Sequence, residues 1–161
     1  MANERSLIDF IPLSAGAGVP PWLSEKLRNP GVPKTFMEGI FEAADSARVM
    51  SPDHPNLVLI GYSPGYRGVF CVDLGTSALM LIQERGETTL VNSSLDHFCR
   101  CIQAVEALWE PELWIEPEDN HRAEDRMLLA IKAIDRAAIC DVEGLWESFC
   151  ADIGQGDYNL T

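Results

Sequence analysis

Three histidines, five cysteines and a dense set of carboxylates are the side chains of this chain with chemistry to offer, and their spacing decides how much of it they can perform. His54 falls in a loop, His97 in a first helical turn and His121 near another helix start; none stands in a metal-ligand or nucleophile-elbow spacing. Cys99 and Cys101 lie two apart on a helix, so their side chains diverge and do not readily share a metal. With Cys71, Cys140 and Cys150 they make an odd number without a paired framework. Beside apolar neighbours, most of them read as small buried hydrophobes of a reducing compartment, which points to the cytoplasm. The glycines of GYSPGYRG, Gly61 to Gly68, imitate a phosphate loop. A phosphate cradle opens a helix, however, and here a strand follows, so a hairpin loop is expected, with Tyr62 and Tyr66 as an aromatic pair usable by a partner. Among so many acids, any two could be drawn as general acid and base, which makes the drawing uninformative. The expectation is a protein that is not an enzyme and needs no cofactor or metal.

One stretch combines residue types with a physical use. WEPELWIEPED, Trp109 to Asp119, interleaves Glu110, Glu112, Glu116, Glu118 and Asp119 with Trp114 and Ile115, and its two prolines should keep it extended. A tryptophan framed by carboxylates is the composition of an interface anchor surrounded by steering charge, so Glu112, Trp114, Glu116, Glu118 and Asp119 are the candidate partner-binding residues. The alternative is a connector whose Trp114 folds back onto the sheet while the carboxylates stay exposed.

The net charge of −13 gives that stretch its setting. Residues 1 to 105 hold 11 acids and 8 bases, whereas residues 106 to 161 hold 14 acids and 4 bases. Such a field repels phosphate backbones and anionic lipid. Direct nucleic-acid or membrane-surface binding is therefore disfavoured, and a basic protein is the electrostatically sensible partner; the plainer reading is that acidity keeps a small protein soluble. No apolar run approaches a membrane span. Near the start, Asp9 and Pro12 interrupt the run Leu7 to Leu13, so a secretory signal is not expected.

The elements that must position these residues follow from periodicity. Three short apolar runs, Leu57 to Ile60, Val69 to Val72 and Leu79 to Ile82, are bounded by glycine and separated by too little chain for a crossover helix, so antiparallel neighbours are expected. Turns are expected at Ser63-Pro64-Gly65, Gly75-Thr76 and Gly86, and a surface loop at Ser51 to Asn56. Pro20-Pro21-Trp22 introduces a short helix at Ser24 to Leu27. Residues 36–49 are ambiguous, since helix formers there compete with an early strand. Asn92 or Ser93 can cap a helix from about Ser93 to Trp109, whose Leu95, Phe98, Cys99, Ile102, Val105 and Trp109 form one stripe. Further helices are expected at about Asn120 to Ile134 and Asp141 to Ile153, the last stopped by Gly154. The order is that of an α+β fold, an antiparallel meander sheet packed against helices, in a single domain over residues 1–161; the attachment of residues 1–22 is left open.

The octet VNSSLDHF after a glycine-punctuated meander resembles the SUKH superfamily of bacterial immunity proteins, and in particular its fourth branch. LRNPGVP (Leu27 to Pro33), LVLIGYSPGYRGVFCVDLGT and AIDRAAICDVEGLWESF are similar to that branch's early glycine and proline element, central hairpin and closing helix with Trp146. The resemblance covers the chain from about Leu27 onward, with departures in residues 1–22 and in the acidic segment after Trp109. It implies a SUKH-like fold and a cytoplasmic immunity protein that binds and neutralises a cognate toxin of a polymorphic toxin system without catalysis. The acidic bias suits a basic, nuclease-type toxin. The competing reading is a regulatory or scaffolding adaptor of the same fold with a cellular protein partner.

Overall fold

The computed structural model describes residues 8–140 and 143–159. Asp141, where the third helix is expected to start, thus lies outside the described residues. Within the described chain, contacts separate a first unit, running up to Thr76 and including Met80–Thr88, from a second made of Ser77–Leu79 and the chain from Thr89 onward.

In the first unit, β1 (Phe10–Ile11) pairs antiparallel with β2 (Val32–Pro33), and an eight-residue helix, α1 (Pro21–Arg28), lies between them in sequence. The expected start at Ser24 is corrected to Pro21, which opens α1 because the first helical turn has no use for its missing amide. The early chain is tied down as well: Leu13 is buried, and Ala15 bridges Ala47. Gly31 adopts φ 86°, and a Cβ there would collide with the Ile11 carbonyl, so only glycine fits beside β1.

The main sheet has six strands in sequence order: β3 (Thr35–Phe36), β4 (Phe41–Ser51), β5 (His54–Ser63), β6 (Gly68–Asp73), β7 (Leu79–Gln83) and β8 (Thr88–Asn92). The three predicted runs form neighbours β5, β6 and β7. Where register is defined, from β3 to β6, every pairing is antiparallel. The ambiguous stretch resolves into one irregular turn, α2 (Met37–Ile40), and the long strand β4. Helix formers there extend because pairing with β5 satisfies their backbone, and a bulge between Ala43 and Arg48 absorbs the mismatch. The expected loop at Ser51 to Asn56 is corrected to a two-residue turn: Ser51 pairs with His54, leaving Pro52 and Asp53 at the tip, with Pro55 and Asn56 already in the strand. Phe41 meets Phe70 edge-on at 5.0 Å, and Val58, Ile60 and Val72 complete a hydrocarbon core.

In the second unit, α3 (Leu95–Leu108), α4 (Pro117–Ile134) and α5 (Leu145–Gln155) pack with α4 between the other two. A short 3-10 turn, Arg136–Ile139, follows α4. The predicted stripe of α3 is buried except at its end, where Trp109 is the C-cap. Three boundaries are corrected. Helix α4 starts at Pro117, earlier than the expected Asn120; α5 starts at Leu145, later than the expected Asp141, after the extended N-cap Gly144; and Gly156 with φ 86° stops α5, while Gly154 lies inside the helix. The chain is an α+β fold with an antiparallel sheet, and its last strand, β8, ends among the helices of the second unit.

Candidate functional site

Asn92 closes β8 fully buried, and what surrounds it explains why this asparagine does not cap α3. Its Nδ2 donates to Asp135 Oδ2 at 3.0 Å and reaches Cys101 Sγ at 3.5 Å, while its Oδ1 accepts from the Trp146 indole at 2.9 Å. Ser93 donates its amide to Asp135 Oδ2 at 2.7 Å and its hydroxyl to Oδ1 at 2.5 Å. Asp135 also accepts the Ala137 amide at 3.2 Å, opening the 3-10 turn. With both expected caps engaged elsewhere, Ser94 takes the role, its hydroxyl accepting the His97 amide at 3.1 Å. Asp135 is a residue that sequence reading missed. An isolated aspartate between helices carries no local signal of the four groups that converge on it.

Burial alone would raise the Asp135 carboxyl pKa, but the hydrogen bonds from Ser93 and Asn92, with His97 nearby, together hold it below the ordinary aspartate value. The carboxylate is therefore charged at neutral pH. Serine, histidine and aspartate do meet here, yet in the wrong order for nucleophilic catalysis. The Ser93 hydroxyl donates its hydrogen bond directly to the carboxylate, and His97 Nδ1 stands 3.8 Å from Asp135 Oδ2 without a hydrogen bond, so no base sits between nucleophile and acid. The node ties the end of β8 to α3, α4 and α5.

The other titratable groups are dispersed. His54 starts β5 in an exposed position, and His121 Nδ1 lies 3.6 Å from Glu124 on α4. Burial pushes the thiols of Cys71, Cys99 and Cys150 up to about 12 and that of Cys101 to about 11, so they remain protonated; Cys140 is exposed. Among the described residues, no group of histidine, cysteine and carboxylate side chains could hold a metal ion.

Contrary to what its prolines suggest, the acidic segment is not extended throughout. Pro111–Leu113 form a 3-10 turn, and Pro117 begins α4, so Glu118 and Asp119 occupy a first helical turn where negative charge suits the unpaired amides. Asp119 accepts the Glu116 amide at 3.2 Å, part of a capping box, and lies 3.6 Å from Arg122. Glu112, Glu116 and Glu118 are exposed. Trp114 is folded in: 6% exposed, it meets Trp109 edge-on at 4.9 Å, and Trp109 in turn contacts Phe149 and Tyr158. The apolar side chains left outside are its neighbours Leu113 and Ile115, 59% and 76% exposed. Of the five candidates, Glu112, Glu116 and Glu118 are exposed, Asp119 is half-buried in the capping box, and Trp114 is packed against Trp109. The alternation of Leu113, Trp114 and Ile115 was the available signal that burying the middle residue turns its neighbours out.

A comparison with curated proteins finds no match, and neither does one with solved structures. A family model described as SUKH-4 immunity protein matches residues 14–152. That match takes in the early segment, the meander, the Asn92–Asp135 node and the acidic connector alike, and on it the chain belongs to the SUKH-4 immunity protein family.

Proposed function

We propose that this protein neutralises a cognate bacterial toxin by binding it in the cytoplasm, performing no reaction itself, and that the toxin offers a basic, nuclease-type surface to the acidic second unit. The carrying observation is the exposure of Leu113 and Ile115 among exposed Glu112, Glu116 and Glu118. Desolvating two aliphatic side chains slows dissociation, whereas the surrounding carboxylates raise the encounter rate with a basic face and cover the cations it would use on its substrate. Glu112, Glu116, Glu118 and Asp119 supply the charge. Trp114 contributes from beneath, by holding its two neighbours outward.

Stopped-flow binding to a basic nuclease-type toxin domain, sought among the genes neighbouring this protein's own, tests the reading. Glu112→Gln with Glu118→Gln should slow association and flatten its salt dependence, with a smaller change in dissociation. Ile115→Ser should do the reverse. Association unchanged at low salt would remove the acidic segment from the interface.

A further inference from the structure

The first unit carries an apolar surface that its own core does not use. Met50, Leu57, Val69 and Ile82 stay partly exposed above a buried patch of Ala44, Leu59 and Cys71. A groove of about 520 Å³ opens there, bordered by Tyr62, Pro64, Arg67, Val69, Ile82 and Glu84, space for a few side chains. Arg48 reaches the Tyr62 hydroxyl at 3.4 Å. Neither Arg48 nor Arg67 is held in an ion pair among the described residues, although the chain carries a net charge of −13. An apolar floor with Arg67 on its rim and Arg48 beside it against Tyr62, neither in an ion pair among the described residues, fits a segment with exposed aliphatic side chains flanked by carboxylates. Glu84 on the same rim disfavours an acidic occupant, but Arg67 and Arg48 together outweigh it, so the balance of charge selects an acidic one.

This chain displays such a segment on its second unit: Leu113 and Ile115 between Glu112, Glu116 and Glu118. We propose that the groove of one copy receives the Leu113–Ile115 segment of a second copy, giving a weak, salt-sensitive self-association that covers both surfaces. The contact is heterologous, groove to segment, so each copy keeps one unused half unless the assembly closes. The proposal stands on these two surfaces and is independent of toxin neutralisation.

Sedimentation velocity on the full chain, from micromolar to millimolar concentration at low and high salt, provides the test. The weight-average mass should climb above 17.8 kDa as concentration rises and fall back when salt is added. Arg48→Glu with Arg67→Glu, and separately Glu112→Lys with Glu118→Lys, should each weaken association by about tenfold or more. Glu116 is left in place because it caps α4. Mixing the two variants should restore association, since the unaltered groove of one then meets the unaltered segment of the other, and the reversed groove meets the reversed segment. Ile115→Ser, a change without effect on the fold's charges, should weaken association as well. A protein that stays monomeric at every concentration, variants that associate like the parent, or a mixture that fails to recover would each overturn the proposal.

Discussion

The first unit is held by hydrocarbon, Phe41 against Phe70 with the aliphatic side chains of β5 and β6 around them, whereas the second encloses a carboxylate and an amide, Asp135 and Asn92, beneath the Trp146 indole. The difference teaches where each unit is specified. Hydrocarbon contacts are individually small and tolerate exchange if volume is kept, so the first unit's geometry is spread over many residues. A buried carboxylate accepting from Asn92, Ser93 and Ala137 is concentrated: remove it and several donors lose their acceptor together. Asp135→Ala should therefore have the largest effect of any single change outside the apolar cores, about 4 kcal/mol, read as a fall in melting temperature of roughly 8 to 16 °C. Asp135→Asn keeps one acceptor oxygen and should cost less.

Acid should separate the same two variants from the parent. Because the Asp135 pKa is held down in the folded state, its stabilising contribution is complete above the unfolded aspartate value near about 4 and is lost as pH falls through the lower folded value. Asp152 works in the opposite direction, its pKa raised by burial and by Asp157, so the folded state gains its proton first. Urea melts between pH 7 and pH 2 should show a shallower acid loss in Asp135→Asn than in the parent. Equal slopes would mean that the node carries no charge-dependent stability.

The next effect sharpens the contrast within the acidic segment itself. Trp114→Ala removes an indole packed on Trp109 and should cost about 3 kcal/mol, while Ile115→Ser, one residue along, should stay within about 0.5 kcal/mol. Thermal melts of the two variants check the pair. Similar losses would show that Ile115 is covered by packing in solution.

How much of this was legible beforehand varies with the range of the forces involved. The strands at Leu57, Val69 and Leu79 and the α3 stripe were readable because a local period encodes the buried face. The α+β class followed from their order. Residues 41–51 were not readable, since only the partner strand β5 decides between helix and extension. Strand β8 escaped because Thr88 to Asn92 runs straight into the serines that signal a helix start. At that start, Asn92, Ser93 and Ser94 are equivalent caps by type. Asp135, 42 residues after Ser93, makes the selection by withdrawing the first two. The acidic stretch was recognisable by composition, but which of its apolar side chains faces water depended on Phe149 and Tyr158 arriving beneath Trp109.

The smallest expected effect concerns the charge that most distinguishes the two units. Residues 1 to 88 hold 10 acids and 7 bases, and residues 89 to 161 hold 15 acids and 5 bases, so like-charge repulsion falls mainly on the second unit. Replacing Glu112 and Glu118 by glutamine relieves part of that repulsion. The same change removes Glu118 from the first turn of α4, where negative charge is worth about 0.3 to 1 kcal/mol against the helix dipole. These contributions oppose each other, and both residues are exposed to screening solvent. Stability should therefore change by less than about 0.5 kcal/mol at physiological salt, even as association with a basic partner slows. Melts of Glu112→Gln and Glu118→Gln made singly resolve the two contributions, because of the two only Glu118 lies in the first turn of α4. A loss well above that figure would place Glu112 or Glu118 in a structural role and weaken the case for keeping their charge for a partner.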